Sequence, residues 1–169
     1  MKAAIFENPG IPKEVLQVKT ISESPVPEEG QVRIKVIAAN INPSDVMFVQ
    51  GLYGIRPQLP SPAGFEGVGI VEALGKNCKI KVGTRVSFTS IGAWAEHAIA
   101  EENALIPIPE TISDEVACQL FVNPFTAFAL LHEAQLKEGD FLLLTAGGST
   151  FSQLVIQIAA KRGIKTICT

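Results

Sequence analysis

The segment from Phe141 to Thr169 constrains the chain most. The apolar run Phe141-Leu142-Leu143-Leu144-Thr145-Ala146 leads into Gly147-Gly148-Ser149. After it Leu154, Val155, Ile158 and Ala159 recur at three- and four-residue spacings, and Lys165 to Thr169 closes the segment. The run reads as a fully buried strand, the glycines as a tight loop, the spaced apolar residues as one face of a helix, and the last residues as a second strand. Ser149 is placed to cap the helix N-terminus and Gly163 to end it. Two strands joined through a helix run parallel, so this unit opens a doubly wound sheet. Parallel strands need further strands beside them and helices on both faces. The expectation is therefore that a substantial carboxy-terminal portion lies outside these 169 residues, with a sheet completed by a partner as the alternative.

The preceding residues have a different character. Gln31 to Ile37 alternates apolar and polar side chains, a period of two that predicts a half-buried strand with Val32, Ile34 and Val36 inward, entered through a turn at Pro27 and Gly30. Further apolar runs at Val68 to Leu74, Arg85 to Phe88 and Ala93 to Ala100 are expected strands, the first two separated by the Gly- and Lys-containing stretch Gly75 to Thr84. Many short strands with Gly and Pro turns indicate a barrel or sandwich. Beyond Pro107 and Pro109, Ser113-Asp114-Glu115 reads as a helix start, the apolar stretch continues through Leu131 with Pro124 dividing two helices, and Lys137 to Asp140 forms a turn. The division expected is a mostly β domain over residues 1–112, followed by residues 113–169.

Hydrophobic residues make up 47% and the net charge is -3, an ordinary globular composition. The 14 Lys and Arg are scattered among 17 Asp and Glu, so no basic face is available for nucleic acid. No stretch has the roughly 20 apolar residues of a membrane span. The start Met1 to Gly10 lacks a charged-then-apolar leader, which suggests a cytoplasmic location. The three cysteines, Cys78, Cys118 and Cys168, lie far apart and only two histidines, His97 and His132, are present, so reduced thiols and no zinc site are expected.

Several motifs then occur in order: Asn40-Ile41-Asn42-Pro43-Ser44-Asp45, Gly51-Leu52-Tyr53-Gly54, and Gly64-Phe65-Glu66-Gly67-Val68-Gly69. Gly92-Ala93-Trp94, Ala104 to Pro109, Val122 to Ala127 and Val155 to Ala160 follow. Together they resemble the medium-chain dehydrogenase/reductase family, and within it the zinc-independent 2-enoyl thioester (enoyl-CoA) reductases and quinone oxidoreductases. The resemblance covers nearly the whole chain. It implies a mixed fold: a GroES-like β-barrel-type domain over 1–112, then linking helices and the first β-α-β of a Rossmann α/β domain over 113–169.

Zinc alcohol dehydrogenases of the family carry a ligand Cys where this chain has Asn42 and a ligand His where it has Phe65, and neither replacement suits zinc. The resemblance thus implies a metal-free, NADPH-dependent oxidoreductase, with NADH as the alternative cofactor. Its small-molecule substrate is an α,β-unsaturated thioester or carbonyl compound. Tyr53, the sole tyrosine, is the catalytic candidate, since a phenol stays protonated at neutral pH and donates to a developing oxyanion; a plain loop tyrosine is the alternative. Asn42 either orients the substrate or cofactor through its amide or caps the turn before Pro43, and Trp94 either walls the acyl pocket or sits on a strand in the core. Asp45 is expected to anchor its loop through backbone hydrogen bonds and Glu66 to be structural. Asn123, Gly147, Gly148, Ser149 and Thr150 are the cofactor-binding candidates. The resembled enzymes have glycine at the positions of Thr150 and Ser152 and valine at Phe151, so the loop is reshaped. A quinone oxidoreductase is the nearest rival reading, and a non-catalytic binding protein of the same descent is the rival of another class. Apolar strand edges at Leu142 to Leu144 and Ile164 to Cys168 imply a homo-oligomer.

Overall fold

A computed structural model describes residues 1–22 and 25–169, which divide into two units, Met1–Gln119 and Leu120–Thr169. In the first unit the chain runs through β1 (Lys2–Phe6), α1 (Pro12–Val15), β2 (Gln17–Thr20), β3 (Gln31–Ala39), α2 (Pro43–Val49) and β4 (Ser61–Pro62). It continues through β5 (Glu66–Leu74), β6 (Arg85–Thr89), β7 (His97–Glu101), β8 (Leu105–Pro107) and the short α3 (Asp114–Ala117).

The period-two segments pair as an antiparallel sheet of order β7-β3-β5-β6-β8, and a second sheet has the order β2-β1-β4. Inward residues of β3, β5 and β6 form the core, in which Val32, Ile34, Val71, Val86 and Phe88 are fully buried. Val36 is only half-buried, because the register slips between Val36 and Ala38 and a bulge turns the strand there.

The expected strand over Ala93 to Ala100 begins only at His97. Residues 92–96 instead cross between the sheets: Gly92 and Ala93 donate to the Gly64 carbonyl at 2.9 and 3.2 Å, and Trp94 donates to that of Ala63 at 3.0 Å. Ala4 N–H reaches the Trp94 carbonyl at 2.9 Å and Glu96 N–H that of Lys2 at 3.0 Å, which joins the two sheets as a barrel-type domain requires. Trp94 therefore sits in this crossing, not on a strand. The crossing costs regular strand pairing but satisfies the same backbone groups.

The second unit holds α4 (Val122–Glu133), β9 (Phe141–Leu144), α5 (Thr150–Lys161) and β10 (Lys165–Cys168). β9 and β10 are parallel, with Phe141 opposite Lys165 and Leu143 opposite Ile167. Ser149 caps α5 by accepting from Ser152 N–H at 3.1 Å, and Gly163 follows the helix with φ 68°, the left-handed turn that glycine adopts without cost.

Two sequence expectations are corrected here. Pro124 does not divide the helices; the break falls at residues 118–121, and Pro124 lies in the first turn of α4, where its missing N–H has no intrahelical acceptor to lose. β9 is not fully buried. Leu142 and Leu144 pack against α4 and α5, whereas Phe141 and Leu143 are 63% and 64% exposed. In this unit both helices contribute to a core on one side of the strand pair only.

Candidate functional site

Strand register builds the first cluster. Ala39 at the end of β3 pairs with Gly67 of β5, so the chain leaving β3 passes directly by Glu66. Asn40 Nδ2 and Asn42 Nδ2 both donate to Glu66 Oε1 at 2.8 Å. Glu66 is fully buried and Asn42 nearly so, at 0% and 4% exposure. A carboxylate accepts only, so it fixes which way both amides face. Trp94 Nε1 donates to the Asn40 carbonyl at 2.8 Å and closes the cluster from the crossing segment.

Asn42 is also the residue before α2. Its N–H donates to Asp45 Oδ2 at 2.6 Å, which holds the helix entry and matches the backbone anchoring expected of Asp45. Burial pushes the Asp45 carboxyl up from the ordinary 3.8, opposed by the backbone N–H groups of Asn42 and Phe65 and reinforced by the Glu66 charge. Above 3.8 and below the raised folded value, the folded state keeps a proton that the unfolded chain has released, so this group's contribution to stability is lost as pH climbs through that window. Asn at position 45 still accepts from Asn42 N–H but does not ionise. The stability advantage of the native protein over Asp45→Asn is therefore expected to shrink as pH rises from 3.8. Urea unfolding of both proteins across that range checks it, and parallel pH profiles would contradict it.

Tyr53 lies in the loop between α2 and β4, and its ring packs on Phe65 with centroids 5.4 Å apart. Phe65 in turn meets Phe48 at 5.0 Å, and Phe48 meets Phe6 edge-on at 5.7 Å. Phe6 and Phe48 are buried, while Tyr53 is 37% exposed. The phenol therefore stands at the outer end of an aromatic file rooted in the core. Trp94 packs at the same cluster and also lines an open apolar groove of about 510 Å³ with Ala3, Ala38, Ala39 and Ile41. Gly64 is a glycine because a Cβ there would come within 2.4 Å of the Trp94 ring. The positions that supply zinc ligands in the resembled dehydrogenases are thus an amide bonded to a carboxylate and an aromatic ring. Among the described residues no group of three or more His, Cys, Asp or Glu is placed to hold a metal.

The remaining candidates belong to the second unit. A Cβ on Gly147 would lie 2.4 Å from Cys168 Cβ, so this glycine lets the loop pack on β10, whereas a Cβ on Gly148 would meet open space. Gln153 Nε2 donates to the Gly147 carbonyl at 2.9 Å and pins the loop. The Ser149 hydroxyl is engaged by Ser152, through its N–H and its Oγ, both at 3.1 Å. A helix leaves its first N–H groups without intrahelical partners. Ser149 takes those of Ser152 and Gln153, while those of Thr150 and Phe151 have no hydrogen-bond partner among the described residues and lie next to the open surface of Gly148. Asn123 lies in the first turn of α4.

The sequence motifs single out Tyr53, Asn42, Trp94 and the glycine loop but give no functional role to Asn40, Phe65 or Gln153. The signal for Asn40 was present: an amide two residues before Asn42 leaves a strand on the same side.

Residues 28–110 match the alcohol dehydrogenase GroES-like domain family. The chain is 40% identical to the mitochondrial enoyl-[acyl-carrier-protein] reductase of Rattus norvegicus, over 99% of this chain and 46% of the relative. The human mitochondrial enzyme of the same name is 39% identical over 99% of this chain and 46% of the relative. Among solved structures, the quinone oxidoreductase of Coxiella burnetii matches with a TM-score of 0.92 and 30% identity, covering 99% of this chain and 56% of that one. The Escherichia coli quinone oxidoreductase complexed with NADPH matches with a TM-score of 0.90 and 30% identity, covering 99% and 52%. The chain thus spans about half the length of the curated relatives it matches. Those relatives are mitochondrial by name, in contrast to the cytoplasmic location suggested by the sequence. Among the described residues no helix is long and apolar enough to cross a membrane.

Proposed function

Because the chain belongs to the medium-chain dehydrogenase/reductase family, we propose that it forms the tyrosine-bearing half of a zinc-free oxidoreductase that reduces an α,β-unsaturated thioester or carbonyl compound with NADPH. The observation that carries this reading is Tyr53 on Phe65, a phenol held at the edge of the core in a site where Asn42 and Phe65 replace metal ligands. When bound, NADPH supplies hydride to the β-carbon of the unsaturated substrate. The Tyr53 hydroxyl donates to the oxyanion that develops as that carbon accepts the hydride, or delivers the proton that ends the reaction. The loop fits the pyrophosphate: Thr150 and Phe151 offer backbone N–H groups at a twelve-residue helix, and Gly148 leaves its approach open. Gly147 and Ser149 shape that loop rather than reach beyond it, and Asn123 remains a candidate for the cofactor.

The reading is tested by following NADPH oxidation in the native protein with crotonyl-CoA and with a simple quinone as separate substrates. Turnover of crotonyl-CoA supports it. Turnover of quinone alone would establish the rival reading, which is favoured by the quinone oxidoreductase structures the fold resembles. Absence of NADPH and NADH binding would establish a non-catalytic descendant, the outcome favoured by Thr150 and Ser152 in the loop.

Elemental analysis of the purified protein is expected to find no stoichiometric zinc, because neither Asn42, committed to Glu66, nor Phe65 offers a ligand. One tightly bound equivalent would overturn this. Self-association is expected as well. Phe141, Leu143 and Ile167 are exposed on one face of the β9–β10 pair, and a bare apolar sheet face invites a second copy. Light scattering of the 169-residue chain that reports a monomer at all concentrations would refute it. With two parallel strands in its second unit, the 169-residue chain by itself is expected to be inactive in the NADPH assay, and turnover is read in the native protein that contains the chain with this sheet completed.

A further inference from the structure

We propose that Phe65 is the positioning residue for Tyr53: its ring, and not the loop that carries the tyrosine, sets where the phenol stands. The proposal rests on the function assigned above to Tyr53 and adds a second residue to it. The loop from Gly51 to Pro60 is exposed at every residue except a half-buried Pro57, and it is flanked by Gly51 with φ 72°. Such a segment has little packing of its own to hold a side chain at a fixed place. The ring contact the structure gives Tyr53 is with Phe65, tilted by 40° at 5.4 Å.

Phe65 itself is held from three sides. Its ring packs against Phe48 at 5.0 Å, and Phe48 is anchored edge-on by buried Phe6. Its carbonyl accepts from Ser90 N–H at 2.9 Å. The preceding Gly64 is locked against Trp94, and the following Glu66 is clamped by the amides of Asn40 and Asn42. An aromatic pair adds directional preference to simple burial, because the ring edge and face carry opposite partial charges. The position that holds a metal ligand in the zinc-dependent relatives therefore holds, in this chain, the surface against which the hydroxyl donor rests. A phenol that drifts by about an ångström loses much of its transition-state contact, a loss worth up to roughly a hundredfold in rate.

The test is a double-mutant cycle in the native protein, read as kcat and KM with crotonyl-CoA. Phe65→Leu keeps an apolar side chain and removes the ring. It is expected to lower kcat roughly ten- to a hundredfold with little change in the KM for NADPH, and Phe65→Trp, which restores a ring, to recover part of the loss. In a Tyr53→Phe background Phe65→Leu should lower kcat less than twofold, since there is no hydroxyl left to misplace. The same fold-loss in both backgrounds would make Phe65 merely structural and overturn the proposal while leaving the role of Tyr53 intact. Unchanged turnover in Tyr53→Phe would overturn the function it rests on. A second readout is independent of turnover. The 169-residue chain has one tyrosine, so incorporation of 3-fluorotyrosine gives a single fluorine resonance. Phe65→Leu is expected to move that resonance to the position of a free, solvated tyrosine, and Phe65→Trp is not; a resonance unmoved by Phe65→Leu overturns the proposal even if the variant is poorly active.

Discussion

Tyr53→Phe is expected to lower kcat for an enoyl thioester by roughly a hundred- to a thousandfold, the usual consequence of removing one preorganised donor at an oxyanion. The substitution deletes a single oxygen and keeps the ring that packs on Phe65 at 5.4 Å, so the loop and the aromatic file behind it stay as they are. Cofactor affinity should change little, because the candidate phosphate contacts at Thr150 and Phe151 belong to the N-terminus of α5 and not to this loop. A fall in kcat with KM for NADPH unaltered is the pattern of an interaction made only in the transition state. Steady-state kinetics of the native protein with crotonyl-CoA provides the measurement. Unaltered kcat would remove Tyr53 from the mechanism, and a loss confined to KM would reassign the hydroxyl to ground-state binding.

The parts of the fold that follow from local periodicity were legible in the sequence. Val32 and Ile34 lie inward at a spacing of two, and α5 begins at the Ser149 cap and gives way to Gly163, as expected from residue chemistry within one or two turns. Features that depend on distant partners were not. The run from Ala93 reads as strand because its residues are apolar, but Gly64 and Ala63 capture its N–H groups and turn it into a crossing. The run from Phe141 reads as fully buried because four consecutive large apolar residues give no alternation, whereas the helices of its unit cover one face. The site shows the same split. Tyr53 and Asn42 stood out through their motifs, while the two residues that fix them, Phe65 and Glu66, act through contacts that depend on how β3 and β5 pair.

That dependence makes Glu66 the residue whose replacement should cost most in stability. Its Oε1 accepts from two buried or half-buried amides, Asn40 and Asn42, each at 2.8 Å. Leucine fills similar volume and offers no acceptor. Each amide would keep only its long bond to the other, at 3.3 and 3.4 Å, and a donor left unsatisfied in the interior costs about 1–3 kcal/mol. Leucine also relieves the protein of burying a carboxylate, which offsets part of that penalty. A net loss of about 2–4 kcal/mol is expected for Glu66→Leu, a large fraction of the roughly 5–15 kcal/mol that holds a domain folded. Glutamine keeps an acceptor oxygen for the two amides, and Glu66→Gln is expected to lose about 1 kcal/mol. Trp94 reports the transition from within the cluster, since its indole N–H donates to the Asn40 carbonyl at 2.8 Å and it is the only tryptophan in the chain. In a urea titration followed by its fluorescence, the leucine variant should unfold about 1–2 M earlier than the native protein, with the glutamine variant between them. Equal losses in the two variants would mean that charge, rather than acceptance of the two amide bonds, is what the protein needs at position 66. No loss in either would show that the bonds Asn40 and Asn42 already make to each other, Nδ2 to Oδ1 at 3.3 and 3.4 Å, satisfy the two amides when the carboxylate is gone.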